Sequence, residues 1–443
     1  MNKVLEIFSC ILLSLFVVGL LLTTSLQAKP NASVKFSATR EENPKGSKNA
    51  LVLPYVFSSE SMGFTLGVGG GAKGYGQDQL LVGGTVLASV DGAVAGVLGM
   101  WDYKMPWVNR LFVSVIGSIG HYPNQRAYSF PFYPPESIRP GSNDSDADQY
   151  VETEGTDNWA DFRFEYVLPL GSAKSSSMMD YHLKGGMLQS EPTGGSIWNP
   201  LESGVTILFL KQYNRYQSYE PKGLEKVDGS IHPLQLGIYY NNTDFPTNPS
   251  VGSSQYFAYT QDFGWLDSEE TWSFIEFEAS KYFSFGASDW ARQRVVALNF
   301  WTGDSPSWEE QLDKNGNIEI IDRPPYFDGA NLGGFYRMRG YENHRFNDRS
   351  VIYATAEYRY TLDWNPFEGV SWLNFLHTDW FQLVGFVEGG RVANEYDFSE
   401  LFSDWKADAG LGIRTMMAGG VIRLDIAASD ESVNGWVMFG HPF

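Results

Sequence analysis

The stretch Val421-Ile422-Arg423-Leu424-Asp425-Ile426-Ala427-Ala428 sorts its side chains onto two faces. Arg423 and Asp425 share one face; Ile422, Leu424, Ile426 and Ala428 share the other. Successive residues of a strand face opposite sides, so a period of two marks a strand with one polar and one apolar face. The pattern recurs outward from this point. Residues 351–360 put Thr355, Glu357 and Arg359 on one side, and residues 161–166 and 273–279 alternate in the same way. In residues 405–414, Asp408 and Arg414 lie opposite Ala409, Leu411 and Ile413.

Two architectures use such strands. In a soluble sandwich the apolar face packs a core and the polar face meets water. In a membrane barrel the apolar face meets lipid, and a polar lumen collects the charges. Strands of roughly ten residues, aromatics at 15% of the chain and 46 glycines favour the barrel. So does the C-terminus, where Val437, Phe439 and Phe443 fall on one face as a terminal aromatic strand, interrupted by His441. The expected fold is all-β, a single transmembrane antiparallel β-barrel.

The N-terminus points to export. Lys3 precedes an apolar run over 7–22, and Ala28 stands before Lys29-Pro30. That order predicts a signal peptide over 1–28, with an uncleaved membrane anchor as the alternative. Residues 29–49 then form a short periplasmic tail and 50–443 the barrel. Cys10 is the chain's one cysteine. The exported chain therefore carries no disulfide, Cys-bound zinc or thiol nucleophile. A net charge of −20 argues against nucleic acid, whose binding runs on phosphate neutralisation by Lys and Arg.

Seventeen segments read as strands, among them 50–58 and 180–190. A barrel with both termini on one side needs an even number. Segment 50–58 is demoted because Pro54 interrupts it, which leaves sixteen. The long irregular segments are 123–158 and 305–349. The first contains Asn143-Asp144-Ser145-Asp146-Ala147-Asp148, which lacks the glycine and glutamate of a calcium loop and reads as a solvated acidic loop. No metal or other cofactor is called for.

The second half carries a further set of motifs: Asp244-Phe245-Pro246-Thr247-Asn248-Pro249-Ser250-Val251-Gly252, Gly333-Gly334-Phe335-Tyr336-Arg337-Met338-Arg339-Gly340-Tyr341, Ala356-Glu357-Tyr358-Arg359-Tyr360, Val384-Gly385-Phe386-Val387-Glu388-Gly389-Gly390-Arg391-Val392 and Ala409-Gly410-Leu411-Gly412-Ile413-Arg414. In this order and spacing, from about residue 240 to the C-terminus, the chain resembles the BamA/TamA (bacterial surface antigen) superfamily of outer-membrane barrels. The resemblance implies that 305–349 is an extracellular loop folded into the lumen. It makes Arg339 the anchoring arginine, Gly340 the tip and Tyr341 the packing aromatic, with Gly333 and Gly334 in the same motif. Glu388 becomes the acidic partner, and Asp408 a second candidate.

Such a loop needs a tether. A long loop in a wide lumen pays a large ordering entropy unless something specific holds it. Arginine offers a permanently charged planar fork that can grip a carboxylate with two hydrogen bonds. Glu357, Arg359, Arg423 and Asp425 read as a structural lumen network beside it.

The implied function is insertion, assembly or translocation of proteins at the Gram-negative outer membrane, through a lateral seam between first and last strands. An open strand edge templates an incoming strand by β-pairing. Family members that insert or translocate proteins carry POTRA domains before the barrel, and 29–49 is too short for one. Clients would then reach the barrel by way of a separate periplasmic partner. The alternative is a plugged, porin-like channel for small solutes, gated by the Arg339 loop. A hydrolase is the third class. Among six histidines no Gly-x-Ser-x-Gly, His-Glu-x-x-His or phosphate-loop motif occurs, and His344 reads as a loop contact, so an enzyme is not expected.

Overall fold

The computed structural model describes residues 32–443 apart from 42–47, 60–61, 130–131, 196, 221–226 and 269. The expected signal peptide, 1–28, lies outside the described residues. The chain opens with β1 (Phe36–Arg40), then runs up and down through β2 (Asn49–Ser59), β3 (Gly63–Lys73), β4 (Leu81–Ser89), β5 (Val94–Lys104) and β6 (Leu111–Ala127). The short β7 (Phe132–Tyr133) precedes β8 (Val151–Val167), and the connection after it contains β9 (Met179–Lys184) and β10 (Met187–Leu188). Next come β11 (Val205–Glu220), β12 (Val227–Ile231), β13 (Leu234–Asn241), β14 (Gly252–Phe263), β15 (Thr271–Ser284) and β16 (Ala291–Asp304). The long loop holds β17 (Glu309–Leu312), β18 (Ile318–Ile321), β19 (Ala330–Leu332) and β20 (Phe346–Asp348). The chain ends in β21 (Ser350–Leu362), β22 (Thr378–Ala393), β23 (Lys406–Met417), β24 (Gly420–Ala428) and β25 (Val433–Phe439).

The long strands pair antiparallel with their neighbours in one barrel sheet. β12 and β13 both pair with β11 and act as one span, broken at His232-Pro233, where proline has no N–H to give the ladder. Sixteen spans result among the described residues, as expected, but their membership differs from the sequence reading. Segment 50–58 is the spanning strand β2, with Pro54 in register opposite Val68. β2 is the first strand of the ladder, and an edge strand tolerates a missing N–H. Segment 180–190 instead forms β9 and β10, which join β1 in a separate three-stranded sheet. β6 and β8 extend further into 123–158 than expected, so the irregular stretch is 128–150.

Burial is inverted relative to a soluble protein. Val52, Val86, Leu98, Ile119, Leu411 and Ile426 stand exposed on the outer face, while Arg339, Arg345, Arg359, Arg414 and Arg423 are completely buried within. An apolar belt around a polar lumen is the pattern of a membrane-spanning barrel.

The sheet closes into a barrel, and among the described residues no backbone register joins β25 to β2. Side chains meet there instead. One apolar cluster holds Tyr55 and Leu87, from the lumen face of the first strands, together with Ile422 and Val437, from the outer face of the last two.

Candidate functional site

The lumen is occupied by residues 330–348. Gly333 and Gly334 sit at φ 109° and 110°, and Met338 at φ 58°. These left-handed residues fold the segment into a compact tip, and a non-glycine residue at positive φ persists only where its surroundings hold it there. Gly340 is required for a different reason. A Cβ there would lie 2.6 Å from Asp408 Cβ and 2.9 Å from the Ala428 carbonyl carbon, so the tip presses against the wall.

Arg339 sits at the centre, its side chain fully buried. Nη1 donates to Asp425 Oδ2 at 2.6 Å, and Nη2 lies 3.0 Å from both Glu357 Oε1 and Glu388 Oε1. Its backbone N–H donates to Glu388 Oε2 at 2.6 Å, and its guanidinium stacks 3.4 Å from the Phe386 ring centre. The acidic partners are thus Glu388, Asp425 and Glu357. Asp408, the second candidate, makes no ion pair with Arg339 among the described residues. Gly340 packs against its Cβ, so Asp408 shapes the seat of the tip without gripping the guanidinium.

The expected lumen network is joined to the anchor. Arg359 and Arg414 both grip Glu357, the latter with two bonds of 2.8 and 2.6 Å, and Arg423 pairs with Asp425. Four arginines thus interleave with three carboxylates supplied by β21, β22 and β24. Their sequence signal is a charge on the lumen face of alternating strands, and Arg414 carries that signal as clearly as Arg423.

Other contacts have no signal in the sequence. Trp436 on β25 donates its indole N–H to the Arg339 carbonyl at 2.7 Å, and Ser429 and Ser432 donate to the Gly340 carbonyl. Arg345 grips Glu431 with two bonds and reaches Ser145 in the 128–150 segment. Arg337 pairs with Glu278 and stacks 3.7 Å from the Trp301 ring centre. The tip is therefore bonded directly to the β24–β25 hairpin, the last element of the barrel.

Tyr341 donates to Asp430 at 2.7 Å and meets the Phe346 ring edge-to-face; burial and that carboxylate push its hydroxyl up, so it stays a donor. His344 is a loop contact, its Nδ1 3.2 Å from Asn331 Oδ1, and burial followed by the Arg215 charge lowers it to about 3. The C-terminus departs from expectation. Phe439 faces outward, but Gly440 at φ 75° turns the chain, and Phe443 stacks on Tyr282 and Arg359 on the lumen side. The aromatic strand signal ends at Phe439.

These features define a class: a sixteen-span membrane barrel whose longest loop is pinned in its lumen by a buried arginine. The family model for the Omp85 superfamily domain matches residues 205–435, and the chain belongs to that superfamily. Among solved structures it is similar to CdiB from Escherichia coli, with a TM-score of 0.52 and 10% identity, over 88% of this chain and 62% of that one. CdiB from Acinetobacter baumannii gives 0.48 and 12%, over 89% and 59%. BamA from Haemophilus ducreyi lacking POTRA domains 1–3 gives 0.47 and 11%, over 89% and 70%. The chain thus spans about three fifths of the length of the CdiB structures. No curated protein matches it.

Proposed function

We propose that this barrel inserts, assembles or translocates proteins at the Gram-negative outer membrane, working through the seam between β25 and β2. The observation that carries this reading is the coincidence of two features on one hairpin. Among the described residues no backbone register joins β25 to β2, and the same hairpin is held by the Arg339 tip through Trp436, Ser429 and Ser432. A seam that parts there would offer N–H and C=O groups to an incoming strand. The loop tip then acts as the restraint that keeps this edge in position until a client strand adds to it. No covalent step is involved. The residue 305–349 loop would lie on the extracellular side, both ends of the barrel chain on the periplasmic side, and a separate periplasmic partner would deliver clients.

The test reconstitutes the barrel in liposomes, adds unfolded client barrels and times their gain of protease resistance. Acceleration over empty liposomes that Arg339→Ala abolishes supports the reading. A folded barrel that gives no acceleration, while Arg339→Ala raises solute conductance, would replace it with the gated channel.

A further inference from the structure

The end of the barrel where β2 begins is closed by a second device, built from β1 and the connection between β8 and β11. β1 runs parallel to β9 in register from Phe36↔Met179 to Arg40↔Leu183, and β10 completes the small sheet. Ala32 and Val34 before β1, with Tyr181 and Leu183 of β9, share one apolar cluster with lumen-facing residues of the wall. Those wall residues include Ile207 on β11 and, across the lumen, Trp380 on β22 and Val421 on β24. A sheet that touches both walls spans the mouth.

Its anchor is ionic. Lys35, 1% exposed, lies 2.6 Å from Asp102 Oδ1 and 2.7 Å from Glu165 Oε2, and the Ser33 N–H donates to Glu165 Oε1. Asp102 is placed for this by a break in the β5–β6 register between Met100 and Tyr103, where it adopts φ 63°. Ser114 and Gln79 hydrogen-bond its backbone in that conformation. A bulge that re-aims one carboxylate into a strained, supported position is a built feature of a binding site. Among the described residues, Lys35 is the ion-pair partner of both carboxylates.

The occupant itself is weakly held along its backbone. The β1–β9 ladder is five pairs long and parallel, against fourteen antiparallel pairs between β8 and β11. A short edge strand supplying a buried cation to a fixed acidic pair is a replaceable ligand. Its pattern defines what could replace it: an extended segment with a lysine or arginine between alternating apolar residues. Side-chain pockets and a free ladder edge are the two ingredients of strand addition.

We propose that the β9 edge and the Asp102–Glu165 pair form a receptor for an extended cationic strand, occupied in cis by β1 and opened by strand exchange with a segment of a second polypeptide. This is independent of whether the β25–β2 seam inserts proteins. The test uses the full chain with Cys10→Ser and Ala258→Cys, since Ala258 lies fully buried in the cluster beneath the sheet. Labelling by a membrane-impermeant maleimide is read at position 258 by peptide mass spectrometry. Lys35→Gln is expected to speed that labelling about tenfold or more. It should also let the protein capture a fluorescent peptide of sequence ASVKFSATRE (residues 32–41), but not the same peptide with glutamate for lysine. A Ser37→Cys, Asp180→Cys pair, opposite one another in the register, is added to the protein that keeps Lys35. Position 258 should then label more slowly with the pair oxidised than with it reduced. Equal labelling of the oxidised and reduced pair would overturn the proposal, even if Lys35→Gln failed to fold. So would a Lys35→Gln protein that binds neither peptide.

Discussion

The two walls that flank the seam are built on opposite plans. On the C-terminal side, β21 to β24 fill the lumen face with Glu357, Arg359, Arg414, Arg423 and Asp425, all buried and cross-bonded. On the N-terminal side, β3 and β4 meet through glycine, with Gly70 opposite Gly84 and Gly71 opposite Gly83. Cross-strand side-chain pairs are what stabilise one register over another, and glycine pairs contribute none. One lip of the seam is therefore rigid and tied to the loop, while the other can adjust. Under the proposed function this asymmetry has a use, with the fixed lip as the template and the glycine lip as the part that gives.

Removing the loop's tie should have the largest effect. Arg339→Ala leaves Glu357, Glu388 and Asp425 around an emptied site, and breaking a buried ion network by deleting one partner costs about 3–5 kcal/mol. Denaturant unfolding of the barrel should register this, and protease should cut within 305–349. Arg339→Lys keeps the charge but loses the fork, and should fall between. A smaller, local effect is expected at the glycine lip. A Cβ on Gly84 would lie 2.5 Å from the Val97 carbonyl oxygen, an overpacking worth about 1–3 kcal/mol. Gly84→Ala should raise hydrogen exchange in β3 to β5 and leave the loop protected. Release of the loop by Gly84→Ala would show that the two walls are not independent. Smaller again is Asp408→Asn. Asp408 is buried without an ion pair among the described residues, so neutralising it should be neutral or mildly stabilising, within about 1 kcal/mol, whereas Glu388→Gln should destabilise. Equal losses in both variants would return Asp408 to the anchor.

The same asymmetry decides what is legible in the sequence. Alternation exposes the barrel and the charged lumen faces, because a charge on every second residue reports a strand face that meets polar surroundings. The resemblance then singles out the Arg339 motif. It does not disclose which carboxylates converge on it, since that depends on the barrel's curvature: Asp425 lies 86 positions away in sequence and bonds Arg339, while Asp408 lies beside the tip in space without pairing with it. Pro54 misleads because its cost depends on which edge of β2 faces a neighbour, and a single strand's sequence does not carry that. Segment 180–190 alternates as well as any spanning strand, yet it pairs with β1. Alternation reports a two-faced strand and not the sheet that receives it. Parity places Phe443 on the outer face, and parity fails as soon as Gly440 turns the chain.

The weakest of these effects tests how tightly the pinned loop is sealed. His344 sits between Asn331 and the Tyr326 ring, and burial with the nearby Arg215 charge holds it near 3, well below its ordinary 6.5. Arg215 is itself paired with Asp157, so that carboxylate is already engaged. A docked loop therefore keeps His344 neutral, whereas a released loop binds a proton once the pH drops below about 6.5. By linkage, docking is unaffected above that value and weakens progressively as the pH falls toward 3, because the released state takes up the proton. Protease accessibility of 305–349 should accordingly rise between about pH 6.5 and about pH 4 in the parent protein and rise less in His344→Asn, which keeps a polar side chain without the titration. An identical rise in both proteins would move the acid sensitivity elsewhere, to the carboxylates that hold Arg339. The loop's inner anchor, and not its outer packing, would then be the element that acid releases first.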